Sequence, residues 1–210
     1  MTSTRECVLG VDLAGSERRP TGMCILYRDY TCRTWVVYRD EEILTAALAY
    51  MPLVVAVDAP LSLPRGRKSL STREPVHFRS CDLELRRRGI KFFPITIGPM
   101  RALTSRGMML KRKLEDLGIK VIEVYPGGAQ DALGIPRKSR GLRELIEGLK
   151  SLGLKGLRED TTGDEADAAT CALVGLLYID NNYEALGDVD EGQIIMPRHN
   201  SRLGQGQKFF

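Results

Sequence analysis

The polar and apolar positions of the first forty residues fall into short alternating runs. Residues 7–15 (CVLGVDLAG), 22–29 (GMCILYRD) and 33–40 (RTWVVYRD) are rich in β-branched and aromatic side chains and are joined by short loops. This predicts three strands in an antiparallel meander. Residues 41–51 then take helical spacing, and 53–64 (LVVAVDAPLSLP) form a brief apolar run of the kind found in buried parallel strands, closed by Pro60 and Pro64. An extended polar loop follows to residue 80. Over 80–89 the punctuation is that of a helix: Ser80 to cap, Asp82 and Glu84 in the first turn, Arg86–Arg88 in the last, and Gly89 to exit. Residues 92–100 (FFPITIGPM) read as a Pro/Gly-interrupted connection, 101–117 as a helix stopped by Gly118, and 119–126 (IKVIEVYP) as a strand ended by Pro126. Short helices are expected at 129–133 and 142–152, and a strong one at 164–179, capped by Thr161 or Thr162. Residues 193–197 offer one further strand before a loose Gly/Gln-rich tail from about 198. No repeat or linker divides the chain. The expectation is a single α/β domain over 1–210, a mixed five-stranded sheet (antiparallel meander plus parallel strands) flanked by helices.

Composition alters this picture little. At 210 residues, 43% hydrophobic and 28% charged, the chain has the make-up of an ordinary globular domain. No apolar run reaches the roughly 18 residues of a membrane span, and the N-terminus lacks signal-peptide character, so a cytoplasmic location is expected. The five cysteines are odd in number and show no CxxC spacing. That argues against a disulfide framework or a zinc knuckle, and for small buried hydrophobes.

Charge adds more. The net charge of +4 is unevenly spread: residues 65–113 hold 14 Lys and Arg against 3 Asp and Glu, while the segments on either side are acidic. Such blocks are more often solvated surface than binding sites, yet this one suggests a polyanionic partner, nucleic acid first. Within it, Arg65, Arg67, Lys68 and the run Arg86, Arg87, Arg88 are candidates to hold phosphates. Arg86–Arg88 also complement the last turn of their own helix, the more local explanation. His77 reads as a loop residue rather than a general base. The Gly10–Ser16 turn is a weak candidate for cradling phosphate.

The chemistry lies in the acids. VLGVD and VVAVD are both short strands ending in an aspartate, Asp12 and Asp58. Ligand sites in open α/β sheets gather at the carboxyl ends of strands, so neighbouring parallel strands would bring these two within reach of one ion. The third such strand places Glu123 near the same edge. Asp164 and Asp167 stand three apart on a helix rich in small residues and project from one face. Each aspartate alone has a local use, in a turn or at a helix dipole. Together they would repel by roughly 4 kcal/mol per pair at 4 Å and an effective dielectric near 20. A divalent cation or raised pKa values must relieve such a cluster, and an all-oxygen ligand set favours Mg²⁺ or Mn²⁺.

The ordered set Asp, Asp, DxxD resembles the RNase H-like superfamily, and the DxxD form resembles resolvases of the RuvC type, which typically carry Glu where Asp58 stands. More specifically, the runs GVDLAGSERRPTG, VAVDAPLSLP, CDLELRRRGI, FFPITIGPM, VIEVYPGGAQDALGIPRK and GDEADAATCALVGLLY resemble the domain of unknown function 429 family, regarded as predicted RNase H-like nucleases. The resemblance implies that Asp12, Asp58, Asp164 and Asp167 bind metal and that Glu123 of the EVYP run belongs to the catalytic set. It implies a metal-dependent nuclease acting on nucleic acid. Two other readings stand beside it: a non-catalytic nucleic-acid- or protein-binding module, and an ATP-dependent phosphotransferase, which needs a second domain or a homodimer around the nucleotide.

Overall fold

The computed structural model describes residues 6–198; the tail expected from about 198 falls almost wholly beyond them. β1 (Cys7–Asp12), β2 (Thr21–Tyr27) and β3 (Cys32–Val37) form the expected antiparallel meander. After α1 (Asp40–Tyr50), β4 (Val55–Asp58) returns parallel to β1. Helices α2 (Ser80–Arg87) and α3 (Gly98–Asp116) precede β5 (Val121–Val124), which runs parallel to β4. Then come α4 (Pro126–Ala132), a 3-10 turn at Lys138–Arg140, α5 (Leu142–Ser151), α6 (Gly163–Ile179), β6 (Tyr183–Leu186) and β7 (Ile194–Pro197). Among the described residues the sheet has seven strands in the order β3-β2-β1-β4-β5-β7-β6.

The mixed α/β class and the meander-plus-parallel layout are as expected, but the five-strand count is not. The C-terminal pair β7 and β6 extends the parallel edge. YEAL is four residues long, has no β-branched side chain and is mostly half-buried, so β6 gives no period-two signal. Three boundaries also move. Arg79, not Ser80, caps α2: Asp82 reaches back to the Arg79 amide at 2.9 Å, while the Ser80 hydroxyl binds the Glu191 carboxylate. Helices α3 and α4 start earlier than the sequence suggests, each with proline in its first turn, where no intrahelical N–H is needed.

Strand pleating sorts the core into two layers. Val8, Ala56, Ile122 and Val124 pack with α6, α5 and α4 on one face, and Leu9, Val11, Val55, Val57 and Val121 pack against α1 and α3 on the other. Each fully buried aliphatic side chain contributes about 1.5–3 kcal/mol. Helix α6 is the central piece, buried continuously from Glu165 to Leu177. Its start is fixed by a reciprocal cap, with the Glu165 amide donating to Thr162 Oγ1 at 3.3 Å and the Thr162 amide donating to Glu165 Oε2 at 2.9 Å.

Glycine lets α6 lie directly on the strands. A Cβ at Gly10 would come within 2.0 Å of the Ala168 carbonyl oxygen, and one at Gly22 within 2.0 Å of the Asp164 carbonyl oxygen. All five cysteines are buried free thiols. No helix among the described residues is long and apolar enough to cross a membrane.

Candidate active site

Asp12 and Asp58 are direct register partners at the ends of the parallel strands β1 and β4. Counting along the pleat from Val8 and Ala56, both aspartates fall on the α6 face. Gly22 is the cross-strand partner of Asp12, and it is also the residue on which the Asp164 backbone rests. That contact sets the first turn of α6, with Asp164 and Asp167, over the strand ends. Acids more than a hundred residues apart in the chain therefore meet because one position in β2 has no side chain.

They meet around a cation from the chain itself. The Lys138 ammonium lies 2.5 Å from Asp167 Oδ2, 3.7 Å from Asp12 Oδ2 and 3.8 Å from Asp164 Oδ1. The other oxygen of Asp167 accepts a 2.7 Å hydrogen bond from Gln130 of α4, which also donates to Thr170. The cluster grades outward: the Asp167 side chain is 8% exposed, Asp12 15% and Asp164 38%. A ligand would enter from the Asp164 side.

The electrostatics are those of crowded acids. Burial pushes Asp12 up to about 7; Asp167 and Asp164 add repulsion, and Lys138 opposes them. Asp58 is raised well above the usual carboxylate range by burial, then by Asp12 and Asp167. Partial burial works against the charge on Lys138, yet Asp167 and Asp12 hold its pKa above the ordinary lysine value. A cation at this point is strongly favoured, and Lys138 stands in for one. The donors are hard carboxylate oxygens, a set that fits Mg²⁺ or Mn²⁺. As the side chains stand, however, no group of three or more His, Cys, Asp or Glu among the described residues is arranged to hold a metal ion. They fan around the ammonium instead.

Glu123 does not join them. Being the register partner of Val57, it points to the opposite face of the sheet. Both its oxygens are engaged there: Arg79 donates to Oε1 at 2.8 Å and to Oε2 at 2.7 Å, and the Leu61 amide donates to Oε2 at 2.8 Å. Arg79, almost fully buried, is also held by both oxygens of Asp82. This buried triad ties α2 and the segment after β4 to β5.

The candidate phosphate-binding residues serve varied purposes. Arg67 is buried and donates to the carbonyls of Thr72, Glu74 and Val76, so it shapes its own loop. Arg65 pairs with Asp188 and Arg88 with Glu184. Arg86 lies over the Phe78 ring, 4.5 Å from its centroid. Lys68, Arg86 and Arg87 face solvent. Exposed His77 shares a hydrogen bond with Thr96 at 3.0 Å. Lys138, Gln130 and Arg79 were invisible to sequence reasoning. Each lies in or beside a short helix or turn with no spacing that singles it out from its polar neighbours.

The family model for protein of unknown function DUF429 matches residues 10–191, a span that includes every one of these acids. This chain is a member of the DUF429 family. In this DUF429 chain Asp12 and Asp58 sit at strand ends, and Asp164 and Asp167 on the glycine-seated helix. No curated protein matches the sequence. Among solved structures, a Thermus thermophilus RuvC structure is 14% identical, covering 84% of this chain and 97% of that one with a TM-score of 0.48. T. thermophilus RuvC in complex with Holliday junction substrate is 15% identical, covering 83% and 96% with a TM-score of 0.47.

Proposed function

We propose that this DUF429 protein is a metal-dependent nuclease that hydrolyses phosphodiester bonds of a nucleic acid, built as one RNase H-like domain. One observation carries the reading: oxygens of Asp12, Asp164 and Asp167 lie within 4 Å of a single ammonium, with Asp58 in register beside Asp12. The strand order, an antiparallel meander whose first strand continues into parallel β4 and β5, supports the domain assignment.

In this reading Asp12, Asp58, Asp164 and Asp167 hold Mg²⁺ or Mn²⁺ in place of the Lys138 ammonium. Bound there, divalent cations would supply a nucleophilic water at neutral pH and neutralise charge on the reacting phosphate. Gln130 keeps Asp167 oriented, a supporting role of the kind that tunes metal ligands. Lys138 keeps the acids together in the metal-free chain and, once displaced, offers a positive charge to the phosphate. Glu123 is a positioning residue, fixing the segment after Asp58 through Leu61. Exposed Lys68, Arg86 and Arg87 supply phosphate contacts, with Arg65 and Arg88 able to exchange their acidic partners for phosphates.

The ammonium at the centre of the acids also favours a second reading, a nucleic-acid-binding module in which Lys138 is the permanent counter-ion. Incubation of labelled single-stranded, duplex, hybrid and branched DNA and RNA with Mg²⁺ or Mn²⁺ separates the two. The nuclease reading expects cleavage by wild type and a loss of at least about a thousand-fold in Asp12→Asn and Asp167→Asn. Salt-sensitive binding with no turnover in any of the three would establish the module instead.

A further inference from the structure

Beside Asp58 opens a cavity of about 200 Å³. Its walls are mostly rings and aliphatic chains: Phe92, Phe93, Ile95, Leu103 and Tyr125. Its charged floor is closed to ligands. Arg79 directs five hydrogen bonds to Asp82, Glu123 and Ser62, matching all five of its N–H groups, and each Glu123 oxygen is already an acceptor. The triad also carries one excess negative charge, which repels anions.

Phe93 is the unusual wall. It is 69% exposed although large and apolar. Its loop is fixed from beneath, because the Tyr125 hydroxyl donates to the Lys91 carbonyl at 2.7 Å and Phe92 packs edge-on against Phe78. Phe93 also lines a second, more open hollow of about 530 Å³ whose margin carries Arg86 and Lys91. One aromatic ridge thus separates an apolar recess touching the acid cluster from a cationic shelf.

A nucleotide has the same division, a planar ring with an anionic phosphate attached. We infer that the recess beside Asp58 seats an unpaired nucleobase against Phe93, with the adjoining phosphate held at the Arg86–Lys91 margin. The substrate class is therefore nucleic acid with a base outside the helical stack, at a bulge, a branch or in a single strand. A base within a duplex is already stacked on both faces and cannot enter without being extruded. Aromatic stacking accepts any base, so the seat selects for unpairing rather than for sequence. A free anion is turned away by the excess negative charge of the triad, and an acidic peptide for the same reason. The inference rests on the nuclease reading for its occupant, though not for its test.

The test measures binding by the full chain without added metal. Fluorescent hairpins, in DNA and in RNA, carry either a single bulged 2-aminopurine, the same purine fully paired, or an abasic bulge. The base seat predicts a Kd for the bulged hairpin at least about ten-fold below the other two, equivalent to ~1.4 kcal/mol, and quenching of the bulged 2-aminopurine. Phe93→Ala, an exposed position expected to leave the melting temperature unchanged, should abolish both the preference and the quenching, and Phe93→Tyr should keep them. Equal affinity for the three hairpins, absence of binding, or a preference that survives Phe93→Ala would overturn the inference. A preserved preference in a protein that cleaves nothing would leave the seat standing and remove the nuclease; cleavage without preference would do the reverse.

Discussion

Asp12 is poised near neutrality because its carboxylate is buried beside two others, and this has a consequence for stability. Its folded-state pKa of about 7 lies above the ordinary 3.8. Between about pH 4 and pH 7 the folded chain therefore keeps a proton that the unfolded chain has released, and stability falls as pH rises through that window. Below it both states are protonated and nothing is lost. Asp12→Asn removes this group's share of the effect, so urea melts of the variant should lose less stability than wild type from pH 4.5 to pH 8, the remaining slope coming from Asp58. The difference in stability between the variant and wild type should therefore shift in the variant's favour as pH rises through that window. Parallel pH profiles for the two proteins would mean that Asp12 is not buried against other acids. The aspartates themselves were legible in the sequence, each at the end of an apolar run or in the DxxD spacing. Lys138 was not, since nothing in the basic run Arg137–Arg140 marks which of its cations points at acids supplied by other elements.

Helix α6 shows what sequence patterns can and cannot convey. Its existence, cap and buried character were readable from the Thr161–Thr162 pair and the small and apolar residues that dominate Ala168 to Leu177. Its seat was not, because the glycines that admit it lie in the strands, and a glycine in a strand looks only like a weak strand residue. Gly22→Ala tests that seat. The added methyl would stand 2.0 Å from the Asp164 carbonyl oxygen, so the start of α6 must lift. Overpacking of this kind costs about 1–3 kcal/mol. Denaturant melts should show a loss of that size together with weaker cation binding, while Gly98→Ala, with open space around it, should be neutral on both. Full stability and undiminished cation binding in Gly22→Ala would contradict the placement. Pleating accounts for Glu123 in the same physical terms: an edge position was legible from the EVYP strand, but the face it takes follows from its register with Val57.

At the scale of the molecule, the order of elements was enough to predict a meander continued by parallel strands, since short loops enforce antiparallel neighbours and helical crossovers enforce parallel ones. Strand β7 was offered by residues 193–197, but β6 and the joining of the pair to β5 escaped, because pairing between distant short segments leaves no local mark. The basic block behaves likewise. Counted along the chain it looks like one cationic surface, but folding turns Arg67, Arg79 and Arg106 inward as structural donors, while others, among them Lys68, Arg86, Arg87 and Lys91, stay exposed. The joining of the four aspartates into one cation site is the claim on which the whole account depends. Its most direct test is titration of the full chain with Mn²⁺ at pH 8, following free Mn²⁺ by electron paramagnetic resonance. Saturable binding by wild type, weakened at least about ten-fold in both Asp12→Asn and Asp167→Asn, is the predicted result. Absence of saturable binding, or binding indifferent to both substitutions, would contradict it.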